Sequence, residues 1–158
     1  MLSSLKITLA LIKRHRADFE FKVFRDTPVT PLSKPLNKCR VALITTGGLH
    51  LRTDESFDLN IADGDSSFRR IPADVRSGDL HIAHKWYNHK FINADLNCVF
   101  PIERMREFVK NGMIGSLSEE HYSFMGHIYK TDGLIKRSKK LGKILKKNKV
   151  DIAFVTPT

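Results

Sequence analysis

Val150–Thr158, VDIAFVTPT, is an apolar run rich in β-branched residues and broken at Pro157. Its length and composition predict a buried β-strand, ended by a residue that has no N–H to pair. Just upstream, Leu134, Ile135, Leu141, Ile144 and Leu145 form a core-facing stripe on a helix that runs to about Asn148, with Thr131 or Asp132 placed to cap it. The segments before that are read as scaffold built around the terminal strand.

Working back, Pro101 stands at a first helical position, Ile102, Met105 and Phe108 share a face, and Gly112 stops the helix. Met113–Leu117 is a short strand candidate, and Ser118–Gly126 is left without an element. Asp79–His84 is another strand, Gly64–Pro72 a polar turn with a short apolar exit, and Phe57, Leu59 and Ile61 alternate as in a short exposed strand or an extended segment. Arg40–Thr46, RVALITT, is a strongly apolar strand that runs into Gly47-Gly48, where the backbone can turn tightly and come close to another chain or a ligand. The spacing is not GxGxxG and no Walker lysine follows, so a nucleotide site has little support. Residues 1–38 carry a short docking helix (Leu2, Leu5, Leu9, Ile12) and an extended lead-in marked by Pro28, Pro31 and Pro35; residues 39–158 form the main domain. Alternating strands and helices predict an α/β fold, a mostly parallel sheet with flanking helices in Rossmann-like layers. In open sheets of this kind reactive groups sit beyond the carboxyl ends of the strands. The position after Thr158 is such a place, so the fold is read as incomplete at its C-terminus.

The 158 residues suit one domain that buries about two-thirds of its unfolded surface. No apolar run approaches a membrane span, and the charges Lys13, Arg14 and Arg16 follow the N-terminal apolar residues rather than precede them, the wrong order for a secretory signal. A cytoplasmic protein is expected. Cys39 and Cys98 are far apart, which excludes a disulfide scaffold and a cysteine-rich zinc site and suggests two buried small hydrophobes. The net charge of +10 is concentrated at Lys130, Lys136, Arg137, Lys139, Lys140, Lys143, Lys146, Lys147 and Lys149. Such a cluster suits a polyanion, but no aromatic residue interleaves it to stack on bases, so a solvated helix face is the plainer reading and nucleic acid is not expected.

Several polar constellations are candidates for chemistry. His81, His84 and His89 are the metal suspects, but on a strand His81 and His84 point to opposite faces, so no metal site is assigned. Ser67, His84 and Asp95 lack the GxSxG elbow of a serine hydrolase. Asp65, Ser67 and Arg69 can clamp a carboxylate or tie down their own turn. His84, Trp86, Tyr87, Asp95 and Asn97 flank a loop of mixed aromatic and polar character, and His121, Tyr122, Phe124 and Gly126 make a similar group.

Five stretches, VALITTGGLHL at 41–51, GDSSFRRIP at 64–72, His84–Tyr87, DLNCVFPIERM at 95–105 and HYSFMG at 121–126, occur in an order that resembles the selenoprotein B subunit family of glycine, sarcosine and betaine reductases and of D-proline reductase. The likeness covers roughly residues 40–158, and a first strand so near the N-terminus is more similar to the short D-proline reductase subunit. The resemblance implies an oxidoreductase subunit that breaks a C–N bond reductively, with a selenocysteine directly after the strand matching Val150–Thr158 and a cysteine soon after it. A translation that does not recode UGA would end at Thr158, so this chain is expected to lack its nucleophile and to be inactive alone. It further implies a partner subunit carrying a pyruvoyl group, no cofactor in this chain, a thiol reductant or thioredoxin-like donor, and a hetero-oligomer. His84 and His121 are expected near the nucleophile as proton donors or orienters, with Asp65, Ser67, Arg69, Tyr87, Asp95 and Asn97 toward the substrate. Arg70, Glu103, the bulky loop Lys85–Lys90 and the basic helix depart from the family pattern and leave the substrate open. The alternatives are a small basic nucleic-acid-binding protein and a non-catalytic assembly protein.

Overall fold

The computed structural model describes every residue except Met1, Phe21, Lys22, Phe24 and Trp86, and only the backbone of residues 2–5. The chain separates into two compact units, residues 1–31 and 32–158. In the first, α1 (Leu2–His15) has Lys13, Arg14 and His15 in its last turn, where positive charge suits the helix dipole.

The second unit is an α/β fold. Its central strand is β1 (Arg40–Thr45), not the terminal one. Every β1 residue from Val41 to Thr45 pairs in parallel with β7 (Ile152–Thr156). The opposite edge of β1 is shared by two short parallel partners, β5 (Ser116–Leu117) at its start and β6 (Glu120–Phe124) at its end. β3 (Phe68–Pro72) then lies antiparallel to β6. A separate antiparallel ribbon joins β2 (Leu49–Leu51) to β4 (Leu80–Ile82).

The shared edge of β1 leaves a gap in the ladder between β5 and β6. His121 fills it: its Nδ1 accepts the Leu43 N–H at 3.0 Å, while Ser118 N–H donates to the Val41 carbonyl at 2.8 Å. A side chain thus replaces a missing backbone partner, which is how a histidine comes to be fully buried mid-sheet.

Alternate residues of β1 face opposite layers. Val41 and Leu43 join Ile71, Phe100 and the α3 (Ile102–Lys110) residues Ile102 and Met105 on one side. Ile44, Tyr122, Phe124 and Phe68 meet Leu141, Leu134 and Leu145 of α4 (Thr131–Lys147) on the other. Each fully buried aliphatic or aromatic side chain contributes about 1.5–3 kcal/mol, so α4 is held by this apolar seam and little else. Its outer surface works against it, because Lys136/Lys140, Lys139/Lys143 and Lys143/Lys147 are like-charged at i,i+4, each pair costing about 0.2–0.5 kcal/mol. Gly142 also lies in open space within the helix. Gly142→Ala should therefore raise stability by about 1 kcal/mol, read as a higher urea midpoint at unchanged m-value; a fall would show that the glycine answers a contact the isolated chain lacks.

Three expectations are corrected. The terminal strand is not buried: β7 lies at a sheet edge with Phe154 43% and Val155 55% exposed, because β1 is the only strand that pairs with it among the described residues. Gly64–Pro72 is not just a turn, since its second half is β3, whose Ile71 is buried. Phe57, Leu59 and Ile61 form no strand; Phe57 is buried against Ala83 and Met125.

Candidate functional site

Because β1, β6 and β7 run parallel, their carboxyl ends reach one edge of the sheet. There Thr45–Gly48, Phe124–Gly126 and Thr156–Thr158 meet. Thr158 is tied to the end of β1 twice, its N–H donating to Thr46 Oγ1 at 3.0 Å and its hydroxyl to the Thr46 carbonyl at 2.9 Å. Thr156 Oγ1 donates to the Val99 carbonyl at 2.6 Å, which anchors the segment leading into α3. The Tyr87 hydroxyl donates to the Gly47 carbonyl at 2.8 Å.

The glycines here admit backbone where any side chain would block it. A Cβ on Gly48 would lie 2.4 Å from the Ala83 carbonyl oxygen, and one on Gly126, whose φ is +90°, 2.3 Å from the Thr46 carbonyl oxygen. Gly126 thereby brings β6's end against β1's, and the same position lies 3.2 Å from His84 Nε2. His84 is buried, its ring 4.5 Å from that of Tyr87 and 6.4 Å from that of His127. Burial, with His127 and His89 nearby, pushes its pKa down to about 4. The ring is neutral at physiological pH, so one nitrogen can receive a proton while the other can give one. Burial, with Cys98 nearby, pushes the Tyr87 phenol up to about 12, which keeps its proton in place for Gly47.

Arg69 organises the loop that adjoins this edge. Its Nε donates to the Glu55 carbonyl at 2.7 Å, Nη1 to Ser67 Oγ at 2.7 Å and Nη2 to the Ser56 carbonyl at 3.0 Å, with the guanidinium 4.4 Å over the Phe57 ring. Asp65 accepts the N–H groups of Ser67 and Asp58 at 2.8 and 3.1 Å. Burial raises its pKa, but these bonds and the Arg69 charge outweigh that and leave it below the ordinary carboxylate value. Asp65, Ser67 and Arg69 thus meet one another, and all three donor nitrogens of the fork are engaged within the protein. Lys85 Nζ donates to the Leu59 carbonyl and Lys130 pairs with Asp63 at 2.9 Å, fixing the rest of the loop. Arg69→Ala should cost about 1–3 kcal/mol by removing charge-assisted bonds to the loop and the guanidinium's contact with the Phe57 ring. Limited proteolysis between Asp54 and Ser67 would report it, and unchanged resistance would show that the loop stands without the arginine.

The remaining expected site residues lie elsewhere. Asp95 caps a short turn by accepting Asn97 N–H at 2.9 Å, and Asn97 Nδ2 reaches Glu103 at 3.2 Å, joining that turn to α3. Bonds from the Asn97 backbone and side chain hold the Asp95 carboxyl low. His121 sits inside the sheet at Leu43, edge-on to Phe100 at 5.9 Å. His81 is exposed on β4, and among the described residues no three His, Cys, Asp or Glu side chains converge on a metal position. Trp86 lies outside the described residues. Thr46 and His127 escaped the sequence reading; the only signals were a hydroxyl at a strand's carboxyl end and a histidine next to a glycine, both too common to select. Cys98 is exposed, not buried, because the turn that Asp95 caps sits on the surface.

No helix among the described residues is long and apolar enough to cross a membrane. No solved structure matches the chain. Among curated proteins, 97 residues are 41% identical to D-proline reductase subunit gamma of Acetoanaerobium sticklandii, covering 61% of this chain and 39% of that one. Over 146 residues it is 26% identical to glycine reductase complex component B subunit gamma of Symbiobacterium thermophilum, covering 91% of this chain and 34% of the relative. Sarcosine reductase complex component B subunit beta of Peptoclostridium acidaminophilum is 27% identical over 117 residues, 72% of this chain and 27% of its own length. The chain thus spans about a third of the curated relatives it matches. The model of the glycine/sarcosine/betaine reductase selenoprotein B family matches residues 6–158, nearly the whole sequence, and the chain belongs to that family.

Proposed function

We propose that this chain is the front part of an amino-acid reductase subunit of the D-proline reductase type, with its reactive centre at the shared carboxyl edge of β1, β6 and β7. The observation that carries the reading is the 41% identity to D-proline reductase subunit gamma. That stretch is supported by an edge where three parallel strand ends, a neutral imidazole and two threonines meet. The attacking group is a selenocysteine placed directly after Thr158. An anion there is favoured if a helix begins at that turn, since its first N–H groups face the anion.

The net reaction opens the C–N bond of a cyclic or substituted α-amino acid. Two electrons and two protons enter: one proton goes to the nitrogen, which keeps the bonding pair, the other to the carbon, and a dithiol donor is oxidised to a disulfide. For D-proline the product is 5-aminopentanoate. Glycine, sarcosine and betaine are the competing substrates. In this chain, the Thr46–Thr158 bonds hold the strand end in register, Tyr87 fixes the Gly47 turn, and neutral His84 passes a proton at the edge. A pyruvoyl carbonyl on a partner subunit would supply the carbonyl that holds a substrate amine, and a thioredoxin-like thiol protein would supply the electrons.

The test begins at the codon after Thr158. A TGA followed by an in-frame reading frame, expressed with selenocysteine insertion and the partner subunits, is expected to convert D-proline with a dithiol, while the 158-residue chain alone is not. An ordinary stop with nothing translatable beyond would overturn the catalytic reading and leave a non-catalytic assembly protein. In the active complex, His84→Ala is expected to lower kcat about 10²–10⁴-fold, the usual range for a positioned proton-transfer group; unchanged turnover would remove His84 from the reaction.

A further inference from the structure

We propose that the outer face of α4 is a docking surface for an acidic face of a protein partner within the reductase assembly. Lys136, Lys139, Lys140, Lys143, Lys146 and Lys147 fall within one third of the helix circumference at 3.6 residues per turn, a stripe ~17 Å long at 1.5 Å per residue. All six are exposed, while Leu134, Leu141 and Leu145 take the opposite side into the core. The inference rests on the proposal that the protein works in a multi-subunit reductase.

A solvated helix face normally mixes both signs of charge. This one does not. Asp132 is the only acidic residue of the helix, and none of the ion pairs among the described residues includes any of the six lysines. The stripe therefore repels itself along its length, and although Lys140 lines a cavity with Glu119 and Glu120, no ion pair among the described residues relieves that repulsion. An external anionic surface would relieve it. The lysine stems also lie on one continuous α-helix, so the array is presented with helical spacing instead of being scattered over loops.

Two chemistries could match a row of ammonium groups, a carboxylate-rich protein face and a phosphate backbone. The helix carries no aromatic side chain for base stacking, and its one arginine, Arg137, stands beside the lysine row and not in it, which turns the choice toward carboxylates. Charges of this exposed kind act mainly on encounter, raising association rates well above the roughly 10⁵–10⁶ M⁻¹s⁻¹ of neutral partners and losing that advantage in salt.

The test uses the full-length subunit assembled with the other subunits of the reductase complex. Association is timed at low and high sodium chloride for wild type, for K136E/K140E/K143E, for the milder K136Q/K140Q/K143Q, and for a control reversal elsewhere, K38E/K90E/K110E. The α4 reversal is expected to slow association about 30-fold or more at low salt, the glutamine set less, and the control under about 3-fold, with all four converging at high salt. Wild-type association speed in the α4 variants overturns the docking surface while leaving the reductase reading intact. A loss of binding to a 20-bp DNA duplex with normal assembly assigns the stripe to nucleic acid and also overturns it. Failure of the wild-type subunit to assemble with any of the other reductase subunits removes the multi-subunit reading, and the docking surface falls with it.

Discussion

Gly126→Val is expected to abolish cooperative folding or to cost more than about 4 kcal/mol, a value in the exceptional tail of single substitutions. Two independent penalties combine. The φ of +90° is one that β-branched residues scarcely adopt, and the new Cβ would start 2.3 Å from a backbone carbonyl oxygen. That oxygen belongs to Thr46, which also accepts the Thr158 hydroxyl, so it cannot retreat without loosening the join between β1 and β7. Gly142→Ala is the natural contrast, a glycine of the same chain with nothing near it. Chemical denaturation of both variants would separate the effects: a loss under about 1 kcal/mol for Gly126→Val would mean that the strand ends do not approach as described.

Stability is expected to drop steeply as the pH falls from about 6.5 to 4. Burial, with the Arg106 charge nearby, pushes the pKa of His121 down to about 4, from the 6.5 of an unperturbed imidazole. Between these values the unfolded chain binds a proton that the folded one refuses. The neutral ring's contribution is therefore complete above pH 6.5, shrinks as acid is added, and is gone once the pH passes below about 4. For His121 the loss amounts to about 3 kcal/mol, and His84, nearer the surface, adds a smaller part in the same window. The carboxylates held low, such as Asp65, lose their contribution only below that window. His121→Asn keeps an acceptor for the Leu43 N–H and should flatten the profile. An unchanged slope would show that the ring does not titrate as its position demands.

The parts of the fold that could be read from sequence are those where burial follows a period. β1 is an uninterrupted apolar run, and α3 and α4 carry their apolar residues at helical spacing, so all three emerge close to their true bounds. β6 does not, because HYSF places polar side chains inside the sheet, and β3 does not, because FRRI shows no regular alternation of polar and apolar residues. His121 and Ser123 are fully buried only because their side chains accept the backbone N–H groups of Leu43 and Leu49 at 3.0 and 2.8 Å, a pairing between residues more than 70 positions apart. Arg69 shows the same limit. Its neighbours along the chain suggest a clamp, but what its fork holds is decided by a loop that folds back over it. His84 and Tyr87 were legible as a pair since they are three residues apart, whereas the contact of Thr46 with Thr158 depends on the sheet register.

The bare flank of β7 has a practical consequence. Its outward peptide groups and its alternating Phe154 and Val155 offer a template for any extended polypeptide, including that of a neighbouring molecule during synthesis or at high concentration. For the 158-residue chain, soluble yield is then expected to fall as concentration rises, and a lysine in place of Val155 would act as a gatekeeper against ribbon growth.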